Sequence, residues 1–308
     1  RVSFISPNRP RPLTLDRSMV AETLVAELTH IRLFLGAGDH LHASAVAHND
    51  EGLVFVGASG AGKSTMAARL VRDGWCLLND EQVRVDSQRR KVVGFPRPIA
   101  ITPEGREVVS SLGVVDSPPP PALRTWLVRP ESLGSRWTSE AIPTAIYDLQ
   151  RRPGPVQVGV VPPEIAFEIL CQNSLDLMAN IPAGLGALSW LAASVPLARL
   201  RYDEGEDAVR TLNLNLATIS NWHAVEAQVE QPRLAEEDPA PIGRGNPSDH
   251  VYSVTMGDRV VLFDPRSRVV ARLDRKGSMI WNRTAHPRRR VRGRRQLSEQ
   301  LRAIGIAS

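Results

Sequence analysis

Cysteine is scarce in this chain: Cys76 and Cys171 both sit in apolar stretches, with no CxxC pair and no Cys/His cluster, which argues against a disulfide framework and against a zinc site. Two buried free thiols fit a reducing, cytoplasmic setting. A membrane-spanning run is missing as well. Leu177 to Ala198 carries no charge, but Pro182 and Pro196 divide it, and the 13 residues between them reach only about 20 Å as a helix, short of the roughly 30 Å hydrocarbon core. A buried helix is expected there, and no membrane partner. No internal repeat is evident, and the polar, proline-containing opening lacks the apolar core of a signal peptide.

What is present is a composition that folds. Apolar residues make up 42% and charged residues 23% of the 308 positions, enough for roughly two domains of about 150 residues or for one domain with an appendage. The net charge is +5, yet eight arginines (283, 288, 289, 290, 292, 294, 295 and 302) lie in the last 26 residues, so the body is close to neutral. The tail reads as solvated, with contact to phosphates or an acidic surface as the alternative. It carries neither interleaved aromatics nor a recognised module, which argues against nucleic acid as a partner.

Along the chain, Met19, Val20, Leu24, Val25, Leu28, Ile31 and Leu35 recur near 3.6 residues and predict an amphipathic helix over 18 to 35. Leu41 to Ala47 and Leu53 to Val56, around a turn at His48 to Gly52, predict a hairpin whose second strand runs into a glycine-rich loop. Met66, Ala67, Leu70 and Val71 then mark a helix stopped by Asp73-Gly74. Trp75 to Leu78 reads as a buried strand with Asn79-Asp80-Glu81 at its end; Val83 and Val85 alternate, and Lys91 to Phe95 starts another strand. Further on, Pro118 to Pro121 breaks regular structure, strands are expected near 142 to 148 and 156 to 161, and helices over Ile165 to Leu177, Gly186 to Val195 and Val209 to Ile219. Gln228 to Asp249 has the composition of a linker. Beyond it, Val251 to Thr255, Val260 to Phe263 and Val269 to Leu273 predict a three-stranded meander, with a helix from Lys276.

The loop Gly57-Ala58-Ser59-Gly60-Ala61-Gly62-Lys63-Ser64, followed by Thr65, fits G-x-x-x-x-G-K-S/T at every fixed position, between an expected strand and an expected helix. Glycines let backbone N–H groups converge on the phosphate oxygens of a nucleotide such as ATP, and the helix N-terminus adds positive potential. Lys63 supplies a charge to the β and γ phosphates, and Ser64 a hydroxyl to Mg2+. Asp80 and Glu81, 17 and 18 residues beyond Lys63, return to the loop's side of the sheet. One carboxylate can hold Mg2+ with Ser64, and Asp80 is the candidate; the other can accept a proton from an acceptor hydroxyl. Which does which is open at this point.

The runs Leu41-His42-Ala43-Ser44-Ala45-Val46, Gly52 to Ser64 and Leu77-Leu78-Asn79-Asp80-Glu81-Gln82-Val83 together resemble the catalytic domain of HPr kinase/phosphorylase, best over residues 41 to about 100. The resemblance implies an α/β fold shared with phosphoenolpyruvate carboxykinase, ATP and Mg2+ as cofactors, and His42 beside the phosphates. Glu81 stands where the family has a second aspartate. Arg97, in Gly94 to Pro98, resembles a turn seen in HPr kinase-like relatives and can reach a phosphate, with an exposed turn arginine as the alternative. The later glycine- and arginine-rich signature of the bifunctional enzymes is missing, so neither phosphorolysis nor HPr as substrate is implied. Val260 to Pro265, Ala271 to Asp274 and Gly277 to Trp281 resemble the PqqD-like peptide-recognition domains of ribosomal peptide modification systems; the match stops near Trp281.

The expected organisation is an N-terminal helical segment (1–40), an HPr kinase-like P-loop domain (41–227), a linker (228–248) and a small PqqD-like β-meander plus helix (249–308). The resemblances imply transfer of the γ-phosphoryl group of ATP to a hydroxyl. The acceptor they imply is a serine of a peptide or protein, such as a precursor peptide held by residues 249–282, as in lasso-peptide tailoring kinases. The alternative is a non-catalytic ATP-binding switch or scaffold that presents a peptide to a partner enzyme. Self-association is left open.

Overall fold

The computed structural model describes residues 2–4, 13–15, 24, 39–102, 105–113, 125–215, 223–230, 251–284, 299–301 and 303. Most of the helix expected over 18 to 35, the Pro118 to Pro121 run and most of the arginine-rich tail lie outside them. The elements in chain order are β1 (Val2–Phe4), β2 (Leu13–Leu15), β3 (Asp39–Leu41), β4 (Ser44–His48), β5 (Glu51–Val56), α1 (Lys63–Arg72), β6 (Cys76–Asn79), β7 (Val83–Asp86), β8 (Lys91–Val93), β9 (Ile99–Ile101), α2 (Arg106–Ser111), β10 (Trp126–Val128), β11 (Glu140–Arg151), β12 (Gln157–Val160), α3 (Pro163–Gln172), α4 (Ile181–Ser194), β13 (Leu197–Tyr202), α5 (Gly205–Asn215), β14 (Ala227–Glu230), β15 (Tyr252–Met256), β16 (Arg259–Asp264), β17 (Val269–Arg272) and α6 (Arg275–Thr284).

A mixed sheet organises the α/β body. β11 lies parallel to β5 on one side and to β13 on the other, while β4 pairs antiparallel with both β5 and β6. The β4–β5 hairpin closes on Asn49 (φ 50°) and Asp50 (φ 66°), two left-handed residues that match the right-handed twist of the strands. Leu53, Val54, Phe55 and Val56 are all buried because layers cover both faces of β5, which is why the strand reads as a continuous apolar run. On one face lie Met66, Ala67, Leu70 and Val71 of α1 and Leu212 of α5, against Phe55, Tyr147 and Leu200. On the other, Phe167 and Leu170 of α3 and Leu188 and Leu191 of α4 pack on Val54, Val56, Ile146 and Leu197.

Several elements depart from the sequence-based expectation: the helix expected over Ile165 to Leu177 is α3 and ends at Gln172, and the one expected from Val209 is α5 and starts at Gly205. α4 begins at Ile181, not Gly186, because Pro182 sits in the first turn, where no N–H partner is needed. β13 follows directly on Pro196, so the uncharged stretch holds a 14-residue helix and the first two residues of a strand, and among the described residues no helix is long and apolar enough to cross a membrane.

The C-terminal meander has four strands, ordered β14-β15-β16-β17. Its first strand takes up Gln228 to Glu230, which sequence composition had assigned to the linker; residues 231–250 lie outside the described part. Val254, Met256, Val261 and Phe263 join the core of α3 and α4, and Arg272 pairs with Glu168 of α3 at 2.7 Å. The opposite face, with Val260, Leu262, Ile280 and Leu301, forms a small core of its own.

Candidate functional site

The glycine-rich loop joins the C-terminal end of β5 to the N-terminus of α1. Gly57 has φ 137°, and a Cβ there would stand 2.8 Å from the Leu149 carbonyl oxygen of β11. Gly62, at φ 95°, caps α1; a Cβ on it would meet the Tyr202 hydroxyl at 2.2 Å, and that hydroxyl donates to the Ala61 carbonyl at 2.5 Å. Two of the motif's glycines are thus demanded by φ and by a close neighbour, the Leu149 backbone at Gly57 and the Tyr202 side chain at Gly62. Ala58, Ser59 and Gly60 form an exposed crown, and Gly60, at φ 80°, has open space where a Cβ would stand.

Lys63 is buried and its Nζ donates to the carbonyls of Gly57 at 2.8 Å and Ala58 at 3.2 Å. Burial pulls its pKa below the ordinary value, against the opposing pull of the Glu81 and Asp80 charges. Ser64 and Thr65, in the first turn of α1, are half-buried.

Asp80 is only 1% exposed, and three elements converge on it. Its Oδ1 accepts from Ser64 Oγ at 2.9 Å and from Ser44 Oγ of β4 at 2.5 Å, and its Oδ2 from the Ala100 N–H of β9 at 2.9 Å. Burial raises its pKa; the hydrogen bonds from Ser44, Ala100 and Ser64 work the other way and the Glu81 charge works with burial. Glu81, the next residue, is of a different kind. Its carboxylate is 40% exposed, lies 3.6 Å from His42 Nδ1 (34% exposed), and rests on a residue at φ 89°. A non-glycine residue in that region is strained, and here the strain turns Glu81 out beside His42 while Asp80 stays inside.

The structure therefore brings Ser64 and Asp80 into contact, keeps the Lys63 ammonium on the loop carbonyls of Gly57 and Ala58, and sets Glu81 with His42 at the adjoining surface. Arg97 lies on the segment that Phe95 O ties to Asn79 Nδ2 at 2.8 Å and Ala100 ties to Asp80. Its Nε is buried without a hydrogen-bond partner among the described residues, a costly state for a charged donor.

Several contributors have no signature in the sequence. Ser44 and Tyr202 are two. Asn173 is a third: its Oδ1 accepts from Gly57 N at 3.2 Å and its carbonyl from His42 N at 2.7 Å. Behind His42, His40 Nδ1 lies 2.8 Å from Asp176 Oδ2, and Ser174 Oγ donates to Asp39 Oδ1 at 2.8 Å. Burial and the neighbouring Asp176 charge push Asp39 up to about 8. Burial also acts to raise Asp176, but hydrogen bonds from His40 outweigh it and hold Asp176 below the usual range.

The arrangement places the exposed loop residues 58–60 and an ammonium on one side and a hydroxyl–carboxylate pair on the other, chemistry that can take up a polyphosphate with a divalent cation. Among the described residues no cluster of three or more His, Cys, Asp and Glu side chains could hold a metal alone. A hard cation such as Mg2+, which takes one or two carboxylates and completes its shell with phosphate and water, suits Ser64 and Asp80.

No family model matches this chain, and a comparison with curated proteins finds no match. Among solved structures it is similar to the Hpr(Ser) kinase/phosphatase from Coxiella burnetii, at 12% identity and a TM-score of 0.31, over 58% of this chain and 98% of that one. A likeness of that size adds nothing to the geometry above.

Proposed function

We propose that the chain binds ATP with Mg2+ on residues 57–65 and transfers the γ-phosphoryl group to a hydroxyl. The contact that carries this reading is Ser64 Oγ on Asp80 Oδ1 at 2.9 Å, directly beneath the phosphate loop. A carboxylate in that place can share a cation with the serine hydroxyl, and Mg2+, when bound, neutralises charge on the β and γ phosphates. Lys63 leaves the Gly57 and Ala58 carbonyls to stabilise the same charge, and the orphan Arg97 Nε fits an incoming anion. Asp80, buried and held by three donors, takes the cation side, with an acceptor position left on its carboxylate. Glu81, exposed and beside His42, takes the acceptor side, where it orients the hydroxyl and receives its proton as the new O–P bond forms and the bond to ADP breaks.

The acceptor class that the sequence resemblances imply is a serine of a peptide, a precursor peptide of ribosomal peptide modification among them, with residues 249–282 as its holding surface. Incubation of the full chain with ATP·Mg and a panel of serine, threonine and tyrosine peptides, followed by mass spectrometry and ADP assay, tests this. Phosphate on a peptide hydroxyl supports it. Saturable ATP binding with no ADP formed on any acceptor would instead favour the non-catalytic switch or scaffold.

A further inference from the structure

We propose that Asn173 is the positioning residue of the phosphate loop: its side chain fixes Gly57 and its backbone fixes His42, so one residue sets the loop against the segment whose His42 lies beside the candidate base Glu81. The inference rests on the nucleotide-binding role proposed above. Asn173 caps the C-terminus of α3, its N–H donating to Ile169 O at 3.2 Å and Leu170 O at 3.1 Å. Its side-chain orientation follows from chemistry, since a backbone N–H only donates and a carbonyl only accepts. Oδ1 takes the Gly57 N–H at 3.2 Å and Nδ2 donates to Ile169 O at 2.8 Å, while the Asn173 carbonyl receives His42 N at 2.7 Å.

The segment after it is fastened to β3 residue by residue. Ser174 Oγ donates to Asp39 Oδ1 at 2.8 Å, Leu175 N to His40 O at 2.7 Å, and His40 N to Asp176 Oδ1 at 2.8 Å. Asn173 therefore stands on a fixed base.

Gly57 is the point that needs holding. Without a Cβ it ranges over φ freely, and its carbonyl carries the Lys63 ammonium at 2.8 Å. The Leu149 backbone limits it on one side and Asn173 holds its N–H from another. With Gly57 pinned, the ammonium leaves a stationary cradle when phosphate arrives, and the loop does not reorganise with it. Preorganisation of this kind lowers the cost of binding.

The test uses the full chain, ATP·Mg as probe, amide exchange by NMR and titration calorimetry. In the wild type the Gly57 N–H should be protected. Asn173→Ala should speed its exchange about ten-fold and weaken ATP·Mg binding about five-fold at unchanged stoichiometry, the scale of one net hydrogen bond. Asn173→Asp keeps an acceptor oxygen for Gly57 but loses the donor to Ile169 O, so the Gly57 exchange rate should fall between those of the wild type and Asn173→Ala. A merely structural role would lower the stoichiometry, which counts folded molecules, and leave Kd alone. An unprotected Gly57 amide in the wild type, wild-type exchange in Asn173→Ala, or an unchanged Kd overturns the assignment. Should the wild type bind no ATP·Mg, the nucleotide reading fails, and the exchange data alone decide whether Asn173 fixes the loop.

Discussion

The Ser64 hydroxyl donates to the Asp80 carboxylate at 2.9 Å, joining the first turn of α1 to the end of β6. Ser44 donates to the same oxygen from β4, so the carboxylate is pinned where strand, helix and loop meet. Asp80→Asn retains the volume but replaces an acceptor by an NH2 donor and removes the charge. ATP affinity measured with and without Mg2+ should show a Mg2+-dependent gain in the wild type and none in the variant; an equal gain in both would remove Asp80 from the cation site.

Glu81→Gln should fail differently. Its side chain is exposed beside His42 and takes no part in the Ser64–Asp80 hydrogen bond, so ATP·Mg affinity should stay within about two-fold while phosphoryl transfer falls by about 10²–10⁴, the usual contribution of a general base. Transfer at the wild-type rate would rule Glu81 out as the base.

The Asp39 carboxyl, pushed up to about 8, makes stability depend on pH in a direction that can be checked. Unfolded, it ionises near 3.8, so between about pH 4 and 8 the folded state binds the extra proton. Stability contributed by Asp39 is complete below pH 4, declines as pH rises to about 8, and changes no further above it. Asp39→Asn, which needs no proton, should lose less Tm between pH 5 and pH 8 than the wild type. Parallel losses in the two proteins would contradict this.

How much of this could be read from sequence follows the range of the interactions. The hairpin, the loop and α1 were legible because apolar period, turn residues and the motif are local. Asp80 and Glu81 were legible because one helix and one strand return the chain to the loop. β13 starts on the last two residues of an uncharged run and continues through Arg199 and Arg201, and its strand character comes from pairing with β11. β14 was hidden because Ala227 and Val229 alternate with exposed polar residues in a stretch composed like a linker. Ser44, Asn173 and Tyr202 reach the site across 36, 116 and 141 residues, and no local pattern marks such contacts.

A chain ended at residue 248 should be destabilised, because Val254, Met256, Val261 and Phe263 belong to the core of α3 and α4. Each fully buried side chain of this size contributes about 1.5–3 kcal/mol, against a total of about 5–15 kcal/mol for a typical protein. Thermal unfolding should show a lower Tm than the full chain; an equal Tm would make the C-terminal sheet an independent module.

The central claim, that residues 57–65 hold the phosphates of ATP, meets its most direct test in calorimetric titration of ATP·Mg into the wild type and Lys63→Ala, with Tm recorded for both. The account predicts one saturable, Mg2+-dependent site in the wild type and loss of at least about ten-fold in affinity in the variant at a similar Tm, since Lys63 is the charge closest to the loop carbonyls. Equal affinity in two folded proteins, or no binding by the wild type, would contradict it.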